Sequence, residues 1–218
     1  MGTSSTVKRA LVIAVDGPAA SGKGTIARAL AEHYGLPHMD TGLLYRAAAL
    51  NLWRWGGDPG NEFEAVRAAQ ELNLDADDPE LRSEPVSKIA SAISAYPQVR
   101  AVLLERQQNF ARTSGGAVLD GRDIGTVIAP DADVKLYVTA SAEVRAQRRM
   151  RELERRGMHA HHDDVLADIH ARDERDSNRE AAPLKQAADA LRLDTSELNV
   201  KEAIAEALRL VEDRLAEV

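Results

Sequence analysis

Short apolar runs alternate with longer amphipathic stretches along most of the chain. The runs at residues 11–15 (LVIAV), 117–120 (AVLD), 134–138 (VKLYV) and 190–193 (ALRL) are short, bounded by turn residues and rich in branched side chains, so each predicts a buried strand. Residues 36–42 (LPHMDTG) predict a further short strand ending in a turn. Helical spacing dominates between them, at 26–34, 43–55, 62–72, 98–112, 142–156 and 164–178, with another helix opening at Pro85. Asn199 followed by Glu202 is a capping pair for a last helix reaching about Ala216. Strands alternating with helices predict an α/β fold, a parallel sheet with helices on both faces. The stretch from Leu43 to Arg112 holds helices and no strand, so it reads as a lobe hung on the sheet edge.

The first strand leads into Gly17-Pro18-Ala19-Ala20-Ser21-Gly22-Lys23-Gly24-Thr25 and then a helix. Strand, glycine-rich turn and helix are the context of a P-loop. Glycines let the backbone N–H groups curl around an anion, and the helix N-terminus adds its dipole. Lys23 supplies a full charge for the outer phosphates. The usual hydroxyl directly after the lysine is replaced by Gly24, and Thr25 follows. That leaves Ser21 and Thr25 as the hydroxyls available to Mg²⁺, with Thr25 the candidate ligand.

Other charged groups gather at strand ends. Asp40-Thr41-Gly42 opens a helix that Thr41 is placed to cap, and Arg46 lies on its otherwise apolar surface. Asp120-Gly121-Arg122-Asp123 is either a salt-bridged turn or a substrate grip, with Arg122 on a phosphate and Asp123 accepting from an amino-bearing base such as cytosine. Arg145, Arg148, Arg149, Arg155 and Arg156 lie near one face of a helix whose surface reading is a solvated, salt-bridged one. A second cluster, Arg172, Arg175, Asp176 and Arg179, sits at helical spacing. Two arginine-rich helices joined by a Gly/His loop predict a hairpin lid over phosphates. His159, His161, His162 and Asp163 fit no standard zinc spacing and read as exposed tip residues.

Composition narrows the field. The 218 residues suit one α/β domain with inserted lobes. A net charge of −7 argues against nucleic acid as main partner, so phosphate sites must come from local arginine clusters. The absence of cysteine excludes thiol catalysis, disulfides and Cys–zinc sites. No run is long enough to span a membrane, and residues 1–9 read as a polar, flexible N-terminus of a cytoplasmic protein.

Taken together, GKGT, DTGLLYR, YPQVR, DGRDIGTV, RAQRRM and ARDERDSNREAAPL, in this order, resemble the bacterial cytidylate (CMP) kinases from about Leu11 to the final helix. The resemblance implies a P-loop NTPase-type nucleoside monophosphate kinase: a CORE (10–42, 113–156 and 180–218), a mostly helical NMP-binding lobe (43–112) and a short helical-hairpin LID (157–179). It implies ATP with Mg²⁺, CMP and dCMP as acceptors, and a monomer. Residues 17–25 (Gly17, Pro18, Ala19, Ala20, Ser21, Gly22, Lys23, Gly24, Thr25) match the ATP loop, and Arg148 a lid-side arginine near the ATP phosphates. Arg46, Arg122 and Arg179 match residues on the CMP phosphate, and Thr41 one near the CMP site. Ser91, Arg100 and Asp123 match base-reading residues, and Arg172 and Asp176 residues near the pentose. Lys23, Arg122 and Arg148 are the candidate catalytic groups. The stretch from Asn73 to Pro85 is short and acidic where longer members carry a β-rich insert, so a small extra sheet is expected to be reduced or absent. The rivals are a P-loop kinase of another monophosphate or metabolite, a nucleotide-binding regulatory protein, and a nucleic-acid-binding ATPase.

Overall fold

A computed structural model describes residues 10–217. The expected flexible N-terminus lies outside the described residues. Five strands form one parallel sheet in the order β2-β3-β1-β4-β5, with β1 Leu11–Asp16, β2 His38–Asp40, β3 Gly116–Gly121, β4 Val134–Thr139 and β5 Leu191–Asp194. Register places Asp16 beside Gly121 and Tyr137, and Asp40 beside Asp120. Three strand ends therefore meet at the carboxyl edge, where β1 lies between β3 and β4; open α/β sheets bind ligands at such an edge.

Helices cover both faces. On one, α1 (Lys23–Tyr34) and α8 (Val200–Ala216) bury Ile26, Leu30, Ala207 and Val211 against Ile13, Val15, Val118 and Leu136. On the other, the end of α5 (Pro97–Ala111) packs with Ala14, Leu119, Ile124 and Ile128. Asn199 and Glu202 form the expected capping box on α8.

The residues between β2 and β3 build a core of their own. Helices α2 (Gly42–Arg54), α3 (Glu62–Gln70), α4 (Glu84–Ile93) and α5 enclose Leu52, Leu81, Ile93 and Leu103, each at most 1% exposed. Each such side chain contributes about 1.5–3 kcal/mol when removed from water, which suffices to hold the lobe together without a sheet. The acidic stretch before α4 forms only a 3₁₀ turn, Pro79–Arg82, and no strand. Helix α4 begins one residue before Pro85, capped by Ser83, whose side chain accepts from Val86 N–H.

Helices α6 (Ala142–Arg155) and α7 (His162–Asn178) form the expected hairpin around Ala146, Leu153, Val165 and Ile169. Helix α6 has a solvated face, where Arg149 and Arg156 pair with Glu152, and a buried one. Arg145 is 5% exposed; its guanidinium makes a two-pronged bond to Asp173 on α7 and also donates to Ala140 and Ala19 carbonyls. One buried cation thus ties the hairpin to the loop after β1. At the tip, His159 and His161 are exposed and His162 is half-buried; among the described residues no cluster of acidic and histidine side chains suits a metal.

Candidate active site

The loop between β1 and α1 turns back on itself through Gly17, Ala20 and Gly22, all at positive φ. A Cβ on Gly17 would stand 2.0 Å from the Val138 carbonyl oxygen, so only glycine fits there. Helix α1 has no side-chain cap; Thr25 and Ile26 N–H donate to the Gly22 carbonyl, and the helix N-terminus ahead of them faces the loop as an anion site. Lys23 donates to the Pro18 carbonyl at 3.3 Å and is driven down to about pKa 7, first by burial and then by Arg122. Asp120 and Asp40 act in the opposite direction and do not offset it.

A cleft of about 530 Å³ opens from this loop toward α2, α4 and α7. Of the matched residues it is lined by Ala19, Ala20, Gly22, Lys23, Gly24, Thr25, Thr41, Arg46, Ser91, Arg100, Arg122, Asp123, Arg172, Asp176 and Arg179. Thr25 is exposed and borders the cleft, whereas Ser21 is fully buried with an unpartnered hydroxyl. Of the two hydroxyls only Thr25 is accessible to a metal.

The charged groups form two neighbourhoods that share the field of Asp176. In the first, Arg122 donates to Asp176 at 2.8 Å, Arg172 lies within the field of both, and Arg46 lies within the field of Arg172. Burial alone would weaken the charge on Arg122, but Asp176, Asp120 and Asp40 together outweigh it and raise its pKa. Burial likewise opposes the Asp176 carboxylate, yet Arg122 and Arg172 hold its pKa below the ordinary value. Arg172 and Arg46 have no equal compensation. Burial, with Arg122 beside it, pushes Arg172 down to about 9, and burial pushes Arg46 down to about 10. The Nε of Arg172 is buried without a partner. Arg46 is held by the Ser87 hydroxyl and the Leu81 carbonyl. Unneutralised arginines converging in a cleft are an oxyanion site.

In the second neighbourhood Arg100 grips Asp123, lies 5.5 Å above the Tyr45 ring, and faces Arg179, whose Nη2 is 3.7 Å from Asp123. Asp123 is 5% exposed and Ser91 6%, with its hydroxyl unpartnered. Asp16 fixes the backbone after Asp123: its two oxygens accept the N–H groups of Ile124 and Gly125, each at 2.8 Å. The turn at 124–128 is π-helical.

Arg179 lies between the two neighbourhoods, 3.7 Å from Asp123 and also within the field of Asp176. Arg172 lies beside Arg122 and Asp176. Arg148 does not line the cleft. Its guanidinium donates to the Ser21 carbonyl and to both oxygens of Thr195, behind the glycine loop. Thr41 is not a cap: its hydroxyl donates across to the Asp120 carbonyl at 2.9 Å, because the parallel neighbour β3 ends beside it.

Arg149 and Asp120 also line the cleft, without a site role assigned from sequence. Arg149 faces the cleft, paired with Glu84 and Glu152. Asp120, 3% exposed, ends β3 next to the loop strand and lies within the field of Lys23. The signal for Asp120 was present, since a carboxylate ending the strand beside a P-loop strand is a metal-holding position in such enzymes.

A profile of the family described as cytidylate kinase matches residues 13–213. The chain is 56% identical over 203 residues to a cytidylate kinase of Methylocella silvestris, covering 93% of this chain and 94% of that protein. It is 57% identical over 207 residues to one of Xanthobacter autotrophicus, covering 94% and 99%. The chain belongs to the cytidylate kinase family. A family member of this kind is an ATP-dependent phosphotransferase, and the parallel sheet with its P-loop fits that class. Solved structures share the fold at low identity: an uncharacterized protein from Eubacterium ventriosum (TM-score 0.56, 14% identical, 93% and 98% covered) and a gluconokinase from Sinorhizobium meliloti (TM-score 0.52, 17%, 95% and 94%). Among the described residues no helix is long and apolar enough to cross a membrane.

Proposed function

We propose that the protein transfers the γ-phosphoryl group of ATP to the 5′-phosphate of CMP, and also of dCMP, giving CDP or dCDP and ADP. The observation that carries this is the pairing, in one cleft, of a P-loop with a second anion site and a buried carboxylate beyond it. An ATP switch needs no second phosphate site. The attacking oxygen belongs to a phosphate already ionised at neutral pH, so no general base is required. The bond from that oxygen to Pγ forms as the β–γ bridging bond breaks, with the electron pair leaving on ADP. The protein positions two polyanions and spreads their charge.

Lys23 and the N–H groups of residues 17–25 hold the ATP phosphates in this reading. Arg148 braces that loop from behind. Arg46, Arg122 and Arg179 take the CMP phosphate, with Arg172 and Asp176 beside the sugar and Ser91 beside Asp123 at the base. Asp123, held between Arg100 and Arg179, accepts from the amino group of cytosine; the uracil carbonyl offers it no proton. Mg²⁺ suits the oxygen donors at the loop, Thr25 and Asp120, which fit a hard cation. When bound with ATP it neutralises charge on the transferring phosphates. We assign the CORE, NMP-binding lobe and LID the boundaries expected from sequence, and the protein to the cytoplasm as a monomer. ADP release with CMP, and not with UMP or AMP, tests the assignment. Turnover of another acceptor overturns the reading of Asp123.

A further inference from the structure

The glycine loop carries Gly24 directly after the lysine, where a hydroxyl is usual. Position 24 faces a carboxylate: a Cβ on Gly24 would stand 3.4 Å from Asp120 Oδ2. The other oxygen, Oδ1, is 2.7 Å from Nε2 of His38 on the adjacent strand. A carboxylate only accepts, so the imidazole donates. Both side chains are largely buried, 17% and 4% exposed.

We propose that His38 is a positioning residue for Asp120, holding Oδ1 so that Oδ2 is presented at the loop position where the hydroxyl is missing. The main chain of Asp120 is fixed independently, because its carbonyl accepts both the N–H and the hydroxyl of Thr41, at 3.0 and 2.9 Å. Only the carboxylate depends on His38. Without the imidazole it is free to turn toward its cationic neighbours, Lys23 and Arg122, whose charges it already feels. Its oxygen would then be withdrawn from the site of the nucleotide-bound metal. Such outer partners set both the direction and the basicity of a metal-facing group.

The inference rests on the loop binding a nucleotide with a divalent cation, and it does not depend on the acceptor. The test therefore uses Mn²⁺ and ADP with no acceptor present. Mn²⁺ binding to the protein–ADP complex is read by electron paramagnetic resonance for wild type, His38→Phe, His38→Gln, Asp120→Asn and the His38→Phe/Asp120→Asn double variant, each checked for folding by circular dichroism. Phenylalanine keeps the ring volume and removes the donor; glutamine restores a donor. His38→Phe is expected to weaken Mn²⁺ about ten-fold or more while His38→Gln stays within about three-fold of wild type. The His38→Phe effect is expected to vanish in the Asp120→Asn background. Unchanged Mn²⁺ binding in His38→Phe, equal loss in His38→Gln, or additive losses in the double variant would each overturn the proposal. Failure of CMP as acceptor with these Mn²⁺ results intact would overturn the proposed substrate and leave this inference standing.

Discussion

Replacing Asp123 with asparagine isolates the group proposed to read the base. The side chain is 7% exposed, keeps its shape in the variant, and loses one full charge. Two consequences follow with different sizes. A hydrogen bond to a charged group is worth about 1.5–3 kcal/mol, so losing the charge-assisted bond to the cytosine amine is expected to lower kcat/KM for CMP by roughly 10- to 150-fold. UMP makes no such bond and loses little, so the CMP-to-UMP ratio collapses. Separately, Arg100 and Arg179, 10% and 4% exposed, lose their anionic partner. Breaking a buried pair outright costs about 3–5 kcal/mol; asparagine retains one acceptor and Arg100 keeps the Tyr45 ring, so the melting point falls by less than that range implies. Steady-state ADP release with both nucleotides, beside thermal melts, separates selectivity from stability. An unchanged CMP-to-UMP ratio, with both rates lowered together, would refute the base-reading role.

Other outcomes follow from the same geometry. Arg122→Ala removes the residue that bridges Asp176 and the proposed CMP phosphate, and is expected to cost at least a hundred-fold in kcat/KM, about 3 kcal/mol; unaltered CMP kinetics would contradict it. Lys23 has a pKa near 7 without its anion, below its unfolded value of 10.5, so the ligand-free fold gains stability from pH 7 up to about 10.5 as that burial cost is relieved. Binding of MgADP restores the proton, and calorimetry at pH 8 in buffers of different ionisation enthalpy is expected to show uptake approaching one proton, falling away below pH 7; no buffer dependence would disprove it. Gly17→Ala forces a contact with the Val138 carbonyl and is expected to abolish nucleotide binding in a binding titration. Arg145→Ala leaves Asp173 unpaired and is expected to cost about 3 kcal/mol, roughly 6–12 °C in Tm; a melt within a degree of wild type would show that the hairpin does not depend on this pair.

Local spacing made much of the molecule legible. The glycine loop was readable because a strand, its turn and a helix start are contiguous, and the sheet because its runs are apolar on both faces. The second arginine cluster was readable from helical spacing, but α7 ends at Asn178 and Arg179 is its C-cap, with extended backbone. Spacing places Arg172, Arg175 and Asp176 on one helix and does not show that Arg179 leaves it to approach Asp123. Thr41 and Asp120 depend on strand order: their hydrogen bond exists because β2 joins β3 and not β1. Arg145 looked like one more surface cation, and only the packing of α7 made it a buried tie.

The proposed function requires that the cleft select a cytidine monophosphate as phosphoryl acceptor. It is tested most directly by ADP release from MgATP with CMP, dCMP, UMP and AMP offered separately to the wild-type protein. The expected result is rapid turnover with CMP, turnover with dCMP, and much slower turnover with UMP and AMP. Equal or faster turnover with UMP or AMP would contradict the role given to Asp123 and its two arginines, and MgATP binding without turnover on any acceptor would contradict the kinase reading of the cleft.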